Sequence, residues 1–159
     1  MTAEPSIAAI MSDAEWLAHR YDPGHDAFHF RRVTREARAQ VPFLTDLHLG
    51  EEAAPVVLRR TDCRSAAGTA EPPIHFLFHS AYCASTMVVQ ALDQPGVATG
   101  LSEPVLLNDM VGWRRRGADP REHGRVMDDA LAMLARGFET DEAVIVKPSN
   151  IFNPLARGA

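Results

Sequence analysis

Residues 79–86 bring together small and polar side chains, among them Ser85 and Thr86, that suit the binding of an anion. An apolar run at 74–78 precedes them, and apolar side chains recur at helical spacing over 87–92. This order predicts a strand buried on both faces, then a tight loop, then a helix. The free backbone N–H groups of the first helical turn and the helix dipole both attract negative charge. We therefore expect an anion to bind at the loop.

Three ionisable side chains follow predicted strands: His79, Glu103 and Lys147, which is the only lysine of the chain. His79 is either a hydrogen-bonded core histidine or an imidazolium that donates to an anionic ligand. Glu103 is either a carboxylate at the start of a helix or a general base. Lys147 is either a solvated residue or a phosphate ligand. The sequence leaves these alternatives open.

The elements that position these side chains alternate from residue 74 onward as strand, helix, strand, helix, helix and strand. Such alternation is typical of an α/β fold, in which helices flank a parallel sheet. Ser102 is also expected to cap the helix that follows it. Ligands of parallel sheets bind beyond the carboxyl ends of the strands. We therefore expect three loops to meet at one site: 79–86, Ser102 with Glu103, and 147–150.

Residues 1–60 are interpreted as an N-terminal α/β cover, because they are too few to build a core of their own. Residues 73–159 form the core, and the two parts together make a single domain. A capping box at 12–15 predicts a helix that runs through Trp16, Leu17 and Tyr21. The remaining pattern predicts a strand or an extended arm at 28–33, a short strand at 55–60, a helix at 34–40, and a loop or linker at 61–73.

The composition excludes several classes of protein. The chain has 159 residues and a formal net charge of −5, unlike proteins that bind nucleic acids through phosphate contacts. Its two cysteines, Cys63 and Cys83, are too few for a disulfide framework or a four-ligand zinc site. The sequence has neither a signal-peptide pattern nor an apolar stretch near the roughly 20 residues of a membrane span. We expect a cytoplasmic protein without a nucleic-acid partner, a membrane partner or a metal.

The strand, loop and helix at 76–86 resemble the first phosphate-binding loop of the sulfotransferase family, within the P-loop superfamily. The pair Glu103-Pro104 and the segment 144–148, which ends a later strand, resemble two further parts of that family. The resemblance covers about residues 73–155 and is closest to bacterial sulfotransferase-like proteins with an N-terminal cover. It implies a P-loop-like parallel sheet. Three predicted strands are few for such a sheet, and the last of them lies close to residue 159. Either residues 28–60 add strands, or the sheet is incomplete and the chain is truncated at its C-terminus; we favour the truncation.

The resemblance implies transfer of a sulfuryl group from 3′-phosphoadenosine 5′-phosphosulfate to a hydroxyl or amine of a small-molecule acceptor. In this interpretation Lys147 holds the 3′-phosphate of the nucleotide, with Ser149 beside it. His79 and Glu103 are the implied catalytic residues. The implied ligands of the 5′-phosphosulfate are the loop residues Ser80, Cys83, Ala84, Ser85 and Thr86.

The chain departs from the family pattern at three positions. Tyr82 stands where the family usually has lysine or arginine, Ala84 stands where it has glycine, and Leu155 stands where it has serine. The loop also lacks the glycine and lysine of the G-x-x-x-x-G-K-[ST] pattern of nucleotide triphosphatases. Two alternatives therefore remain open: a P-loop kinase-like phosphoryl transferase that uses ATP and magnesium, and a truncated, non-catalytic binding module. The sequence does not indicate the oligomeric state.

Overall fold

The computed structural model describes residues 5–50, 54–67, 73–80 and 82–155. Outside the described residues lie Ala81 of the predicted loop, 68–72 of the predicted linker, 156–159 of the predicted core, and 1–4 and 51–53 of the predicted cover. In chain order the elements are α1 (Ile7–Ser12), β1 (Trp16–Asp22), β2 (Ala27–Arg32), α2 (Arg35–Ala39), α3 (Asp46–Leu49), β3 (Val56–Arg59), α4 (Arg60–Ala66), β4 (Ile74–Phe76), α5 (Ser85–Leu92), β5 (Ala98–Ser102), α6 (Val105–Arg115), α7 (Pro120–Leu134), β6 (Ala143–Lys147) and a 3₁₀ helix (Asn150–Leu155). These elements confirm the α/β class.

The first three strands form an antiparallel sheet in the order β1-β2-β3. The predicted helix through Trp16, Leu17 and Tyr21 is wrong, because these residues form β1 and pair with β2. Asp13 closes a turn before them, and its carboxylate accepts a hydrogen bond from the N–H of Glu15 at 2.8 Å. Aspartate makes such turns readily, and the strand that follows gains cross-strand partners that a helix would not have.

The segment after β3 is helical where a loop is predicted. The prediction for 61–73 is wrong in its first half, because α4 occupies Arg60–Ala66. Cys63 is fully buried, and Arg60 binds the carboxylates of Asp26 and Asp129 at 2.7 and 2.6 Å. These contacts order a segment whose composition indicates a loop. The predicted strands at 28–33 and 55–60 and the helix at 34–40 are confirmed as β2, β3 and α2.

The second sheet is parallel and has the order β4-β6-β5. The central strand is β6, in which Val144 and Val146 are fully buried. Within the described residues β4 pairs only with β6 and is an edge strand. Its predicted burial on both faces is wrong, because an edge strand is less covered: His75 is exposed, and Ile74 and Phe76 are half-buried.

Helix α5 packs on β5 where the strand has a glycine, Gly100. Val89 of α5 is buried, whereas Met87 and Leu92 are 69% and 42% exposed. A Cβ atom at Gly100 of β5 would lie 2.9 Å from Cγ1 of Val89, which is closer than side-chain atoms normally approach. The glycine therefore allows the helix to lie against the strand, and much of the apolar pattern that predicts α5 faces outward.

Helix α6 begins without the predicted cap. Ser102 is the last residue of β5, and the N-cap position of α6 is Pro104, which makes no side-chain hydrogen bond. The helix needs no such cap to hold its position, because Leu106 and Met110 are fully buried.

No helix of the described residues is long and apolar enough to span a membrane.

Both sheets contribute to a single hydrophobic cluster, which includes Phe30 of β2 and Val146 of β6. A polar cluster also joins the first part of the chain, residues 1–60, to the part that contains the parallel sheet. Arg35 of α2 donates to Asp93 at 2.7 Å and to Glu142 at 2.5 Å. Burial raises the pKa of Glu142, but hydrogen bonds from Thr99, the Gly96 N–H and Arg35 lower it more, so the pKa lies below its ordinary value. The first part of the chain is therefore fastened to the parallel sheet through buried charges.

Candidate functional site

The carboxyl ends of β4, β5 and β6 open onto a single cavity of about 320 Å³. Residues from all three expected loops line it, together with one side chain from the first part of the chain. The lining residues are Phe43, His79, Tyr82, Cys83, Ala84, Ser85, Thr86, Glu103, Lys147 and Asn150. The parallel sheet thus gathers side chains that are far apart in the sequence.

Lys147 and Glu103 form an ion pair at one wall of the cavity. The Nζ atom of Lys147 lies 2.5 Å from Oε1 of Glu103 and 5.1 Å from the centre of the Phe43 ring. Lys147 is only 1% exposed, whereas the side chain of Glu103 is 19% exposed. A buried ammonium needs a counter-ion, and Glu103 supplies it. Without a ligand, the charge of Lys147 is therefore already neutralised.

His79 contacts two backbone carbonyl groups. Its Nδ1 lies 3.0 Å from the oxygen of Ser80, and its Nε2 lies 3.0 Å from the oxygen of Pro148. Carbonyl oxygens only accept hydrogen bonds, so both contacts are satisfied when both ring nitrogens carry protons. Nε2 also lies 3.9 Å from Oε1 of Glu103. His79, Lys147 and Glu103 therefore form one polar cluster at this wall of the cavity.

The loop before α5 has an uncommon backbone conformation. Ala84, at the N-cap position, has φ 57° and ψ 18°, and it makes no side-chain capping bond. Tyr82 and Glu103 also have positive φ angles, of 61° and 48°. Non-glycine residues rarely adopt this left-handed conformation, and such residues concentrate at functional sites. The uncapped first turn of α5 leaves N–H groups that suit an anion.

Cys83 is the exposed cysteine of the chain, and Cys63 is the buried one; both are free thiols. The thiol of Cys83 lies 3.0 Å from the carbonyl oxygen of Ser80. A hydrogen bond with the Ser85 side chain lowers the pKa of Cys83 from its ordinary value. Cys83 is therefore the more reactive of the two thiols and lies at the mouth of the cavity.

The structure brings together most, but not all, of the predicted site residues. Ser149 is buried and donates to Oδ1 of Asn108 at 2.8 Å, so its hydroxyl is engaged outside the cavity. Ser80 contributes its carbonyl oxygen to the contacts of His79 and Cys83, and its side chain does not line the cavity. The other seven predicted residues all line the cavity: His79, Cys83, Ala84, Ser85, Thr86, Glu103 and Lys147.

Three lining residues are absent from the predicted site: Phe43, Tyr82 and Asn150. Tyr82 and Asn150 lie within the loops that are expected to converge, so the predicted loops alone are enough to identify them as candidates. Phe43 comes from the first part of the chain, and the N–H of the next residue, Leu44, donates to the oxygen of Ser102 at 2.8 Å. No local pattern in the sequence indicates this long-range contact.

The described residues contain no group of three or more histidine, cysteine, aspartate or glutamate side chains that could hold a metal ion. Comparisons of the chain with protein-family models, with curated proteins and with solved structures find no match. What the structure offers toward a function is therefore the geometry of the cavity.

Proposed function

We propose that this chain is a sulfotransferase-like protein that binds 3′-phosphoadenosine 5′-phosphosulfate and transfers its sulfuryl group to a hydroxyl or amine. One observation carries the proposal: the uncapped start of α5, the ammonium of Lys147 and the imidazole of His79 surround a single cavity at the carboxyl edge of a parallel sheet. This is where parallel sheets bind ligands, and N–H donors and cations favour phosphate and sulfate groups.

In the proposed reaction the acceptor oxygen or nitrogen attacks sulfur in line with the bond to the departing phosphate oxygen. The new bond to sulfur forms as the old S–O bond breaks, and adenosine 3′,5′-bisphosphate leaves. Glu103 takes the proton of the acceptor, and the Nε2–H of His79 exchanges the carbonyl oxygen of Pro148 for the oxygen that gains charge. The N–H groups of α5 with Ser85 and Thr86 hold the phosphosulfate in position.

The proposal also covers the cellular compartment and the partners of the protein. Both cysteines are free, which supports a reducing compartment, and we infer a cytoplasmic location. The net charge of −5 supports a small-molecule acceptor over a nucleic acid. We propose no metal and no membrane partner for the reaction.

Thermal melts of the 159-residue chain test the proposal, with adenosine 3′,5′-bisphosphate, ATP with magnesium, or sulfate as the added ligand. A ligand at about 100 times its Kd stabilises the fold by roughly 2.7 kcal/mol, which raises Tm by several degrees. We expect the bisphosphate to produce the largest shift. A shift with ATP and magnesium alone indicates a kinase-like protein, and no shift with any nucleotide contradicts the proposal.

Two variants show whether the bisphosphate binds in the cavity. Thr86→Val keeps the shape of a lining residue but removes its hydroxyl, so we expect a smaller bisphosphate shift. Thr140→Val makes the same chemical change at an exposed residue that does not line this cavity, and it leaves the shift unchanged. Equal shifts for the two variants contradict binding at the start of α5.

A further inference from the structure

Lys147 is closed to any ligand in the conformation that the structure shows. Its side chain is 1% exposed, its Nζ lies 2.5 Å from a carboxylate oxygen of Glu103, and the Phe43 ring covers it at 5.1 Å. A phosphate group that binds this ammonium must take the place of one of these neighbours. Glu103 is the neighbour that carries the same charge as the phosphate.

The backbone of Glu103 is fixed in place, whereas its side chain can move. Its N–H donates to the carbonyl oxygen of Lys147 at 2.6 Å, which continues the hydrogen-bond pattern of β5 and β6. Its φ of 48° is unfavourable for a residue with a side chain, so the position is held by its surroundings. The side chain of Glu103 is 19% exposed and lines the cavity, so its carboxylate can turn into the open space of the cavity.

We propose that the carboxylate of Glu103 is an internal anion: it pairs with the ammonium of Lys147 until a phosphate group of the ligand displaces it. The inference rests on the proposed function and adds the regulation of the same site. The exchange replaces one anion by another at a buried ammonium, so Lys147 is paired before and after binding. The displaced carboxylate remains near the imidazole of His79, whose Nε2 lies 3.9 Å from Oε1 in the closed state.

The exchange couples the binding of the nucleotide to the chemistry. While Glu103 is held by Lys147, its Oε1 atom is engaged in the ion pair and does not face an acceptor. Once the phosphate holds Lys147, the carboxylate faces the cavity and can accept the proton of the acceptor. The phosphate-bearing ligand therefore binds first and the acceptor second.

The first test compares the Kd of adenosine 3′,5′-bisphosphate for three forms of the chain by calorimetry. Glu103→Gln removes the competing charge and keeps the shape, so we expect binding about tenfold tighter, the ratio that corresponds to about 1.4 kcal/mol. Glu122→Gln makes the same change of net charge at an exposed residue of α7, and we expect the wild-type Kd. Unchanged or weaker binding by Glu103→Gln overturns the exchange.

A second measurement on the wild-type chain does not depend on the folding of a variant. The chain has one lysine, so labelling lysine side-chain nitrogen with ¹⁵N produces a single NMR signal. We expect the bisphosphate to shift this signal, whereas adenosine without phosphates leaves it unchanged. If the bisphosphate stabilises the wild-type protein in the melt but the lysine signal stays in place, the exchange is wrong and the proposed function stands. If the bisphosphate does not bind at all, the proposed function itself fails.

Discussion

Glu103 and Lys147 are joined twice, once through the backbone and once through their side chains. The N–H of Glu103 donates to the oxygen of Lys147 at 2.6 Å, and the two charged groups meet at 2.5 Å. The register of the parallel sheet explains both contacts, because Ser102 of β5 lies opposite Lys147 of β6. The pair thus fastens the ends of two neighbouring strands at the edge of the cavity.

This relationship predicts that substitutions at the two positions are not additive. Lys147→Met leaves the Glu103 carboxylate without its partner, and Glu103→Gln leaves a buried ammonium unpaired. The double variant has neither unpaired charge, so it is more stable than the sum of the single effects predicts. We expect a coupling energy of about 1–3 kcal/mol from urea unfolding of all four forms. Simple additivity contradicts the ion pair.

Gly100→Ala is expected to destabilise the protein by about 1–3 kcal/mol, because the new methyl group overpacks the contact between β5 and α5. The nearest atoms to its Cβ are Cγ1 of Val89 at 2.9 Å, Cβ of Asp93 at 3.0 Å and the Val89 carbonyl oxygen at 3.0 Å. Gly124→Ala is the matched control, since nothing lies within 4 Å of a Cβ there. In the middle of α7 the control gains up to about 1 kcal/mol. Chemical denaturation measures the free energy of unfolding of both variants. Equal effects of Gly100→Ala and Gly124→Ala contradict the close packing at Gly100.

Cys83 is expected to react with iodoacetamide well before Cys63. The hydrogen bond with Ser85 lowers the pKa of Cys83, whereas burial raises the pKa of Cys63 to about 11. Mass spectrometry of the alkylated peptides over time measures both rates in the same sample. Ser85→Ala slows the reaction of Cys83 and leaves that of Cys63 unchanged. Adenosine 3′,5′-bisphosphate protects Cys83 if it occupies the cavity.

Ala84→Gly is expected to stabilise the protein by about 1 kcal/mol or less. The left-handed φ of 57° costs an alanine about 1–2 kcal/mol, and the greater freedom of glycine in the unfolded chain cancels part of the gain. Ala91→Gly, at an exposed position inside the same helix, serves as the control and loses about 1 kcal/mol. A loss for both variants in the free energy of unfolding rejects the left-handed conformation of Ala84.

Acid is expected to weaken the link between α2 and the parallel sheet through Glu142. Hydrogen bonds outweigh burial and lower the folded-state pKa below the ordinary value of 4.5. The contribution of Glu142 is therefore complete above the pKa of the unfolded chain and is lost as the pH falls through the folded-state pKa. Unfolding curves from about pH 7 to about pH 3 measure the loss. Glu142→Gln is less stable at neutral pH and has a shallower dependence on pH; an identical dependence contradicts the assignment.

Local patterns in the sequence identify the parallel sheet well and the first strand badly. The apolar runs that predict β4 and β6 occur where the structure has them. At Trp16 the capping box indicates a helix, but the Asp13 side chain closes a turn, and β2 supplies partners that only the fold reveals. Similarly, periodicity indicates α5 but does not say which face meets the sheet, which Gly100 determines from a distance.

The chemistry of the site is predictable in part. His79, Glu103 and Lys147 are identified because each follows a predicted strand, and the cavity contains all three. The ion pair between Glu103 and Lys147 is not predictable, because it depends on β6 lying beside β5. Phe43 is missed for the same kind of reason, since it reaches the site through the contact of Leu44 with Ser102.

The strand order of the parallel sheet also determines when the chain can fold. The middle strand, β6, is the last of the three to be synthesised, and β4 and β5 each pair with β6 rather than with each other. Among the residues that the structure describes, β4 and β5 have no partner in this sheet until residues 143–147 have left the ribosome. Pairing of distant segments is slow and leaves strand edges open to aggregation. Nascent chains that stop before β6 should therefore depend on chaperones, whereas chains that include it can complete the sheet and the cavity together.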